Sequence, residues 1–400
     1  MVPPAPNGNG ERKGRPARVL IAGGGITAME AALALRRLGG DRVEVRVLAP
    51  NDALEVVPLS VVEPFGEDVP VRHQLTDLAE RAGAELVPGA LARVDAEHRV
   101  AVTADGRELG YDRLIVAVGA LRMPYMNHST ITFSGHADVM EARRLLERIR
   151  AGAERGVSTR LAVVVPPGAG WHLPGYELAL LAAYDFEARG LRELVQIALV
   201  TAEDRPLAAF GEEASAEVSG DLRRAGIMVH AGAVVLDWTM GRLHLIPSGE
   251  VPVDQVMALP MLRGPAIEGL PCDGLGFVYA DGLCRVGGHG DVFVVGDAGT
   301  SPLKGGGVGC RQAGAVAALI AREAGADVPE PSGEALLENV LLLGGGARRI
   351  LRSHPTRAGE ASLGASWIEP SGPIEHKLAA RDLWSALAVG SGAGLLEASP

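Results

Sequence analysis

The sequence is poor in cysteine and in aromatic residues. Its 400 residues include three cysteines, which are widely spaced and contain no CxxC pair. This pattern excludes a disulfide framework and the common zinc sites, so we predict no metal site. Aromatic residues make up 4% of the chain, so its core must consist mainly of Val, Leu, Ile and Ala. That composition suits buried parallel strands flanked by alanine-rich helices.

Long basic and long apolar segments are also missing. The formal net charge is −11, without a block of Lys and Arg, which argues against nucleic-acid binding. No apolar run approaches the ~20 residues that span a bilayer. Residues 1–15 are rich in Pro, Gly and charge, so they predict a flexible leader rather than a signal peptide. We therefore expect a soluble, cytoplasmic protein.

The chain is too long for one core, and its pattern predicts an α/β fold with two Rossmann-like units. The first unit has a strand at Ala17–Ala22, a glycine turn, a helix at Ile26–Leu38 and a strand at Val43–Leu48. Residues 85–120 predict a small antiparallel meander that leads into a buried strand, Leu114–Val118.

A second βαβ unit begins at Leu161, and the pattern becomes looser after about residue 330. The predicted elements of this second unit are the strand LAVVVPP, a helix at Tyr176–Arg189, the strand VQIALVT, a helix at Glu212–Ala225 and the strand IMVHAGAVVLDW. A buried strand at Val292–Val295 and a helix from about Arg311 to Ala324 follow. In the tail, ALLENVLLL and IEHKLAARDLWSAL both favour apolar helices.

The sharpest motif is the glycine turn in VLIAGGGITAMEAALAL. Gly23 permits a tight turn, Gly25 lets the backbone approach a pyrophosphate, and Ala28 is small enough for close packing between helix and strand. The helix that follows presents free N–H groups and a partial positive charge to phosphates. A glycine turn that binds no phosphate is the alternative.

Two further segments weaken that alternative. YDRLIVAVGALRMP, from Tyr111 to Pro124, is a buried strand that ends in Ala-Val-Gly-Ala. DVFVVGDAGTSPLKGGGVGCRQAGAVAALIA, from Asp291 to Ala321, ends a strand at Gly296-Asp297 and then starts a glycine-entered helix. With the three motifs in this order, residues 17–325 resemble the two-domain flavoproteins of the pyridine nucleotide–disulfide oxidoreductase superfamily. PLSVVEPFG and PLKGGG are similar to its branch of sulfide:quinone reductase-like and type II NADH dehydrogenase-like enzymes.

The resemblance implies FAD as cofactor and a domain plan. An FAD-binding domain (16–124 and 275–330) would be interrupted by an NAD-type domain (125–274) and followed by a tail or interface region (331–400). The residues that would hold FAD are Gly23, Gly24, Gly25, Thr27 and Ala28 at the pyrophosphate, Val94 at the adenine through its backbone, Ala117 and Gly119 over the cofactor, and Gly296 and Asp297 at the ribityl chain or pyrophosphate.

The resemblance also implies how the flavin ring is tuned. The helix entered through Gly306 would point its N-terminal amides at the region where negative charge gathers on reduction. Lys304 in the same loop would add a positive charge there, unless it is a solvated loop lysine. Glu177, in the first turn of the second helix, would relay protons or orient a substrate, or else be an acid stabilised by the helix dipole.

The sequence departs from the family pattern at both nucleotide sites. The acidic residue expected at the end of the second strand is missing, and Asp52 or Asn51 would replace it unless they form an ordinary Asx turn. In the second unit, the Pro-rich loop 166–175 is too long for the usual turn and lacks backbone donors. Thr201 stands where an acid favours NAD, with Glu203 just beyond, so NAD(P)H binding stays open.

The cysteines carry a further departure. The first 271 residues contain none, so the redox-active pair of disulfide reductases is absent. Cys272 and Cys284 are interpreted as structural, and Cys310, in the helix beside the flavin, as a small buried residue rather than a reactive thiolate. A sulfide oxidation that passes through a cysteine pair is disfavoured.

We therefore predict an FAD-dependent oxidoreductase that moves hydride between a small-molecule donor and an acceptor such as a quinone or oxygen. Two alternatives remain: an NAD(P)H dehydrogenase that uses the second domain, and a catalytically degenerate flavin-binding or scaffold protein. In the tail, an apolar stripe favours packing on the chain's own body or a homodimer partner over peripheral membrane contact. The stripe consists of Ala380, Leu383, Trp384 and Leu387.

Overall fold

The computed structural model describes residues 15–67, 72–126, 130–247, 249–301, 303–329, 337–353, 364–371, 377 and 380–390. The predicted leader, apart from Arg15, lies outside the described residues. The amino-terminal part forms, in order, β1 (Ala17–Ala22), α1 (Ile26–Gly39), β2 (Val43–Ala49), β3 (Ala53–Glu55), β4 (Arg72–Gln74), α2 (Leu75–Ala82), β5 (Glu85–Pro88), β6 (Leu91–Asp95), β7 (Val100–Thr103), β8 (Glu108–Gly110), β9 (Arg113–Val116) and β10 (Leu121–Met123).

The remaining elements follow in two groups. The middle of the chain forms β11 (Ile131–Thr132), α3 (Val139–Ala153), β12 (Thr159–Val165), α4 (Leu173–Ala188), β13 (Val195–Thr201), α5 (Glu212–Arg224), β14 (Ile227–His230), β15 (Val234–Thr239), β16 (Arg242–Ile246), β17 (Gly249–Pro252), β18 (Gln255–Ala258) and β19 (Met261–Arg263). The last part forms β20 (Arg285–Val286), β21 (His289–Val294), α6 (Gly306–Glu323), β22 (Leu337–Gly344), β23 (Ala347–Ser353), β24 (Gly364–Glu369) and α7 (Arg381–Gly390).

The first lobe is built on a sheet with the order β20-β21-β9-β1-β2-β5. Its strands are parallel except for β20, and they come from two separate stretches of the chain. Because successive side chains of a strand point to opposite faces, Val19 and Ile21 of β1 contact the apolar faces of α1 and α6. Leu20 and Ala22 contact the opposite layer, which includes the antiparallel sheet β6-β7-β8.

The second lobe repeats this plan with the parallel sheet β11-β18-β12-β13-β14. Leu161 and Val163 of β12 contact the helices α3, α4 and α5. Ala162 and Val164 contact the antiparallel sheet β15-β16-β17 on the other face. The predicted fold of two Rossmann-like lobes is therefore confirmed.

Several predicted boundaries shift. The helix predicted from Tyr176 begins at Leu173, and the helix predicted from about Arg311 begins at Gly306. The predicted strand IMVHAGAVVLDW is two strands of different sheets, β14 and β15. The chain turns between them at Gly232, whose φ of +62° favours glycine.

The prediction of a helix over ALLENVLLL is wrong within the described residues, because Leu337–Gly344 is strand β22. Gly344, Gly345 and Gly346 all have positive φ, so the chain reverses there into β23, which pairs with β22 and β24. This sheet covers helices of the second lobe. Gly344 lies against Tyr184 of α4, and Arg349 is buried in an ion pair with Asp221 of α5.

The last helix, α7, lies on α1, and residues 374–376 and 378–379 of its predicted range are outside the described part. Ala380 and Leu383 are buried in the first lobe, with Trp384 and Leu387 partly buried beside them. The predicted stripe thus packs on the chain's own body. Among the described residues, no helix combines the length and the apolar character needed to cross a bilayer.

Candidate functional site

The glycine turn between β1 and α1 leaves an open space at the start of the helix. Gly23 has a φ of +132°, and a side chain there would collide with the Ala117 carbonyl oxygen. A Cβ on Gly24 would lie 2.8 Å from Leu75 Cδ1, whereas a Cβ on Gly25 would meet nothing within 4 Å. Gly23 and Gly24 therefore fix the turn, and Gly25 leaves room for a group beside the free amides of α1.

The distant Gly296-Asp297 pair lies beside this turn. A Cβ on Gly296 would lie 3.0 Å from Thr27 Oγ1, so β21 and α1 approach closely there. The Gly296 amide donates to Gln312 Oε1 of α6 at 2.7 Å, and the Gly305 amide donates to Asp297 Oδ1 at 2.7 Å. These bonds hold the β21 turn against the start of α6.

One cavity, with about 800 Å³ of empty space that includes space open to solvent, joins these elements. It places the Gly25 turn, the end of β9, the Gly296-Asp297 turn and the N-terminus of α6 around a common volume. The predicted site residues that line it are Gly25, Thr27, Ala117, Gly119, Gly296, Asp297 and Gly306. Ala28 is fully buried behind them, between helix and sheet.

Sequence reasoning missed several residues of this cavity. Glu55, Pro58, Arg122 and Trp171 also line it. Pro58 and Trp171 belong to segments that the sequence already marked, the PLSVVEPFG phrase and the Pro-rich loop. Glu55 and Arg122 carry no recognisable motif, because a single charged residue on a short strand looks like an ordinary surface residue.

The predicted position of Lys304 needs correction. Its Nζ donates to the Gly299 carbonyl oxygen and lies 4.0 Å from the centre of the Phe277 ring. The side chain borders a neighbouring cavity of about 420 Å³ and does not line the larger one. Burial lowers the pKa of Lys304. The ammonium group of Lys304 therefore points to Gly299 and Phe277 and not into the larger cavity.

Two other predicted contacts also differ. The Val94 amide is already bonded to the Glu268 carbonyl oxygen at 2.9 Å, and Val94 is 2% exposed. Its N–H group is therefore not free for an adenine. Asp52 is exposed, and its carbonyl oxygen accepts the Leu75 amide at 2.8 Å. Glu55, three residues further on, is the acid of this segment that lines the cavity.

Glu177 is fully buried at the start of α4 and is paired with a residue of the tail. Lys377 Nζ donates to Glu177 Oε2 at 2.6 Å and to the Pro58 carbonyl oxygen at 2.5 Å. Glu177 Oε1 accepts the Leu342 amide at 3.2 Å. Burial raises the pKa of Glu177 and lowers that of Lys377, while their mutual attraction opposes both shifts. Glu177 does not line the larger cavity, but Lys377 connects it to Pro58, which does.

The Pro-rich loop 166–175 contacts the residues that follow β13 in the second lobe. Glu203, just after β13, lies 3.1 Å from His172 Nδ1 and accepts the Tyr176 hydroxyl at 2.6 Å. Burial would raise the pKa of Glu203, but the bonds from His172 and Tyr176 hold it below its ordinary value. The Glu203 carboxylate, which lies where a ribose is expected, is therefore already bonded to two side chains of the protein.

The three cysteines are unpaired thiols. Cys310 lies on α6 and is 2% exposed, and burial raises its pKa well above the ordinary value. Burial also raises the pKa of Cys284 to about 11 and that of Cys272. High pKa values disfavour the reactive thiolate. The structure thus agrees with structural roles for these residues.

Two mainly parallel sheets, each with a strand-turn-helix start, and two helix N-termini at one cavity define a two-lobed protein of the dinucleotide-binding class. A family model described as pyridine nucleotide-disulphide oxidoreductase matches residues 49–305. The chain belongs to this family, whose members are FAD-dependent oxidoreductases that use pyridine nucleotides.

Individual relatives lie in the branch that the sequence motifs indicated. The chain is 25% identical over 272 residues to a sulfide-quinone reductase of Aquifex aeolicus, covering 62% of this chain and 59% of that protein. It is 27% identical over 302 residues to an NADH dehydrogenase-like protein of Mycobacterium tuberculosis, covering 70% and 72%. The chain thus spans less than two thirds of the length of the first of these relatives.

A solved structure shares the fold over most of the chain. The sulfide:quinone oxidoreductase of Aquifex aeolicus superposes with a TM-score of 0.77 at 17% sequence identity, covering 94% of this chain and 90% of that one. The superposed part therefore extends beyond the segment matched in sequence.

Proposed function

We propose that this FAD-dependent oxidoreductase moves two electrons, as hydride, between a small-molecule donor and an acceptor such as a quinone or oxygen, without a redox-active cysteine pair. The observation that carries this proposal is the shared cavity of Gly25 and Gly306. Two helices, α1 and α6, begin at its wall. Helix N-termini favour anionic groups, and FAD has a pyrophosphate and a ring that becomes anionic on reduction.

The residues present fit FAD. The open space at Gly25 accepts a pyrophosphate beside the first amides of α1. The Gly305 amide is held by Asp297, which fixes the start of α6 where it faces the cavity and leaves the second carboxylate oxygen of Asp297 for the cofactor. FAD, when bound, supplies the hydride chemistry, and the protein supplies position and electrostatics.

Glu177 and Lys377 are proposed to handle the proton. They form a buried pair whose lysine also contacts Pro58, a wall residue of the cavity. Lys377 also lines a second cavity of about 480 Å³, together with Leu342 and Arg348. An acceptor in this second cavity would meet the ammonium group of Lys377, which would give up its proton and regain one from solvent, while the Glu177 carboxylate holds Lys377 in position.

A nicotinamide donor would need the second lobe to rearrange. The ribose of NAD(P)H would have to replace His172 and Tyr176 at Glu203, because both already bond to that carboxylate. We therefore expect slow reduction of the bound flavin by NADH and NADPH, measured by stopped-flow absorbance without oxygen. Rapid and complete reduction by either nucleotide would instead identify an NAD(P)H dehydrogenase.

The cofactor is tested directly by the visible spectrum of the purified protein and by titration with FAD. Gly25→Val should abolish FAD binding, because the valine side chain fills the open space. The backbone φ of −85° at position 25 suits valine, so the variant should still fold. Gly290→Val is the matched control, since a Cβ there also meets nothing within 4 Å but lies on β21, outside the cavity lining. A protein that binds no FAD, or a Gly25→Val variant that binds it normally, would refute the proposal.

A further inference from the structure

Beside the larger cavity lies a smaller compartment between the two lobes. It has about 410 Å³ of empty space and shares Val57, Arg122, Trp171 and Asp297 with the larger cavity. The rest of its wall is mostly apolar, with Phe133 and Leu259 among its residues. A small compartment of this kind, with few polar groups, has the form of a small-molecule site.

Arg122 lies on β10, at the wall of this compartment. This strand pairs antiparallel with β19, so that Arg122 is opposite Leu262. Arg122 and Leu262 both line the compartment. Arg122 is exposed, as are the flanking Leu121 and Met123, at 56% and 40%. Arg122 thus lines the compartment and is also accessible from solvent, so a ligand can reach its guanidinium group.

The guanidinium is anchored on one side. Arg122 NH1 donates to the Ser134 carbonyl oxygen at 2.7 Å, which uses one of the five N–H groups of an arginine. Among the described residues that line the two cavities, Arg122 is the one with a positive charge. The carboxylate that shares the compartment, Asp297, has one oxygen committed to the Gly305 amide.

We propose that Arg122 binds the carboxylate of a small organic acid whose apolar body occupies the compartment lined by Phe133, Leu259 and Leu262. A planar guanidinium with several free N–H groups matches a carboxylate in a bidentate geometry. The compartment adjoins the cavity assigned to FAD, so this acid is the donor class of the proposed reaction. That the acid is the electron donor rests on the proposed function. That it binds at Arg122 rests on the compartment alone.

The test compares benzoate with benzamide, which have the same ring but differ in charge. Binding of each to the FAD-loaded protein is measured by isothermal titration calorimetry and by the change in the flavin absorbance spectrum. Benzoate should bind at least about tenfold more tightly than benzamide, since hydrogen bonds between charged partners are the strong ones. Arg122→Leu should weaken benzoate to the level of benzamide, and Arg122→Lys should give an intermediate affinity, because lysine is a point charge.

Arg263→Leu is the matched control. Arg263 lies on β19 opposite Leu121 and is exposed, so its loss should leave benzoate binding unchanged. Equal binding of the two probes, no detectable benzoate binding at millimolar concentrations, or an Arg122→Leu variant with unchanged affinity would overturn the inference. If Arg122→Leu loses FAD, the Arg122→Lys variant decides the question, because a lysine variant that binds benzoate as tightly as the parent would also overturn the inference. A protein that lacks FAD but still distinguishes the probes through Arg122 would refute the proposed function alone.

Discussion

Glu30 of α1 caps the N-terminus of α7, because its Oε2 accepts the Leu383 amide at 2.7 Å. Its Oε1 accepts the Asp382 amide at 3.1 Å, and Arg37 donates to the Asp382 carboxylate at 2.5 and 2.8 Å. Glu30 is 4% exposed. An acid from the helix that starts at the glycine turn thus fixes the last helix of the described chain.

This contact predicts a pH-dependent stability. Burial raises the pKa of Glu30 from 4.5 to about 7, although the hydrogen bonds from the Asp382 and Leu383 amides lower it. Asp382 and Arg37 are the charged neighbours of Glu30, and Cys310 of α6 is a further titratable group beside it. A folded pKa above the unfolded value means that the folded protein holds the proton more strongly. The stabilisation of the folded state by protonated Glu30 is therefore fully present below pH 4.5 and is lost as the pH rises through about 7.

Glu30→Gln should remove this dependence, which amounts to roughly 3 kcal/mol at most. The measurement is the free energy of unfolding by urea at a series of pH values from acid to alkaline, for the parent and the variant. Glu44→Gln, at an exposed position of β2, is the control and should leave the pH profile unchanged. If Glu30→Gln retains the parent profile, the titration arises from another group.

The Glu177–Lys377 pair predicts strong coupling between two residues that are 200 positions apart. Breaking a buried ion pair leaves an uncompensated charge, which typically costs about 3–5 kcal/mol. Glu177→Gln and Lys377→Met should each destabilise the protein by that order, while the double variant should cost less than the sum of the two. Denaturant unfolding of the four proteins measures the coupling. Additive effects would show that the pair does not form.

Thiol reactivity should follow burial. Cys272 is partly exposed, whereas Cys284 and Cys310 are buried. We expect Cys272 to react first with a disulfide reagent such as dithiobis-nitrobenzoate, and the other two thiols to react only after unfolding. Cys272→Ser should remove the early phase of thiol release. Rapid labelling of Cys310 in the folded protein would contradict its structural role and reopen cysteine chemistry beside α6.

Much of the first lobe could be predicted because its signals are local. The apolar run of β1 and the glycine turn fix strand, turn and helix within about twenty residues, and Asp297 follows a clearly buried strand. The direction of Lys304 could not be predicted, since it depends on Phe277 and the Gly299 carbonyl oxygen. The same holds for Val94, whose amide is taken by Glu268 from a distant segment.

The tail was predicted least well. An apolar run such as ALLENVLLL fits a buried helix and a buried strand equally on periodicity, and pairing with β23 decides the outcome. Lys377 stands in a segment without a motif, so nothing in the sequence connects it with Glu177. The helix α7 was recognised because its apolar stripe has helical spacing, which is a local signal.

The tail fastens to both lobes, at Glu177 in the second and at Pro58 and α1 in the first. A protein shortened before residue 377 would therefore lose more than a peripheral helix. It would leave one acid without its counter-ion in the interior and another without the amides it caps, so expression trials that trim the carboxyl end should keep Lys377 and helix α7.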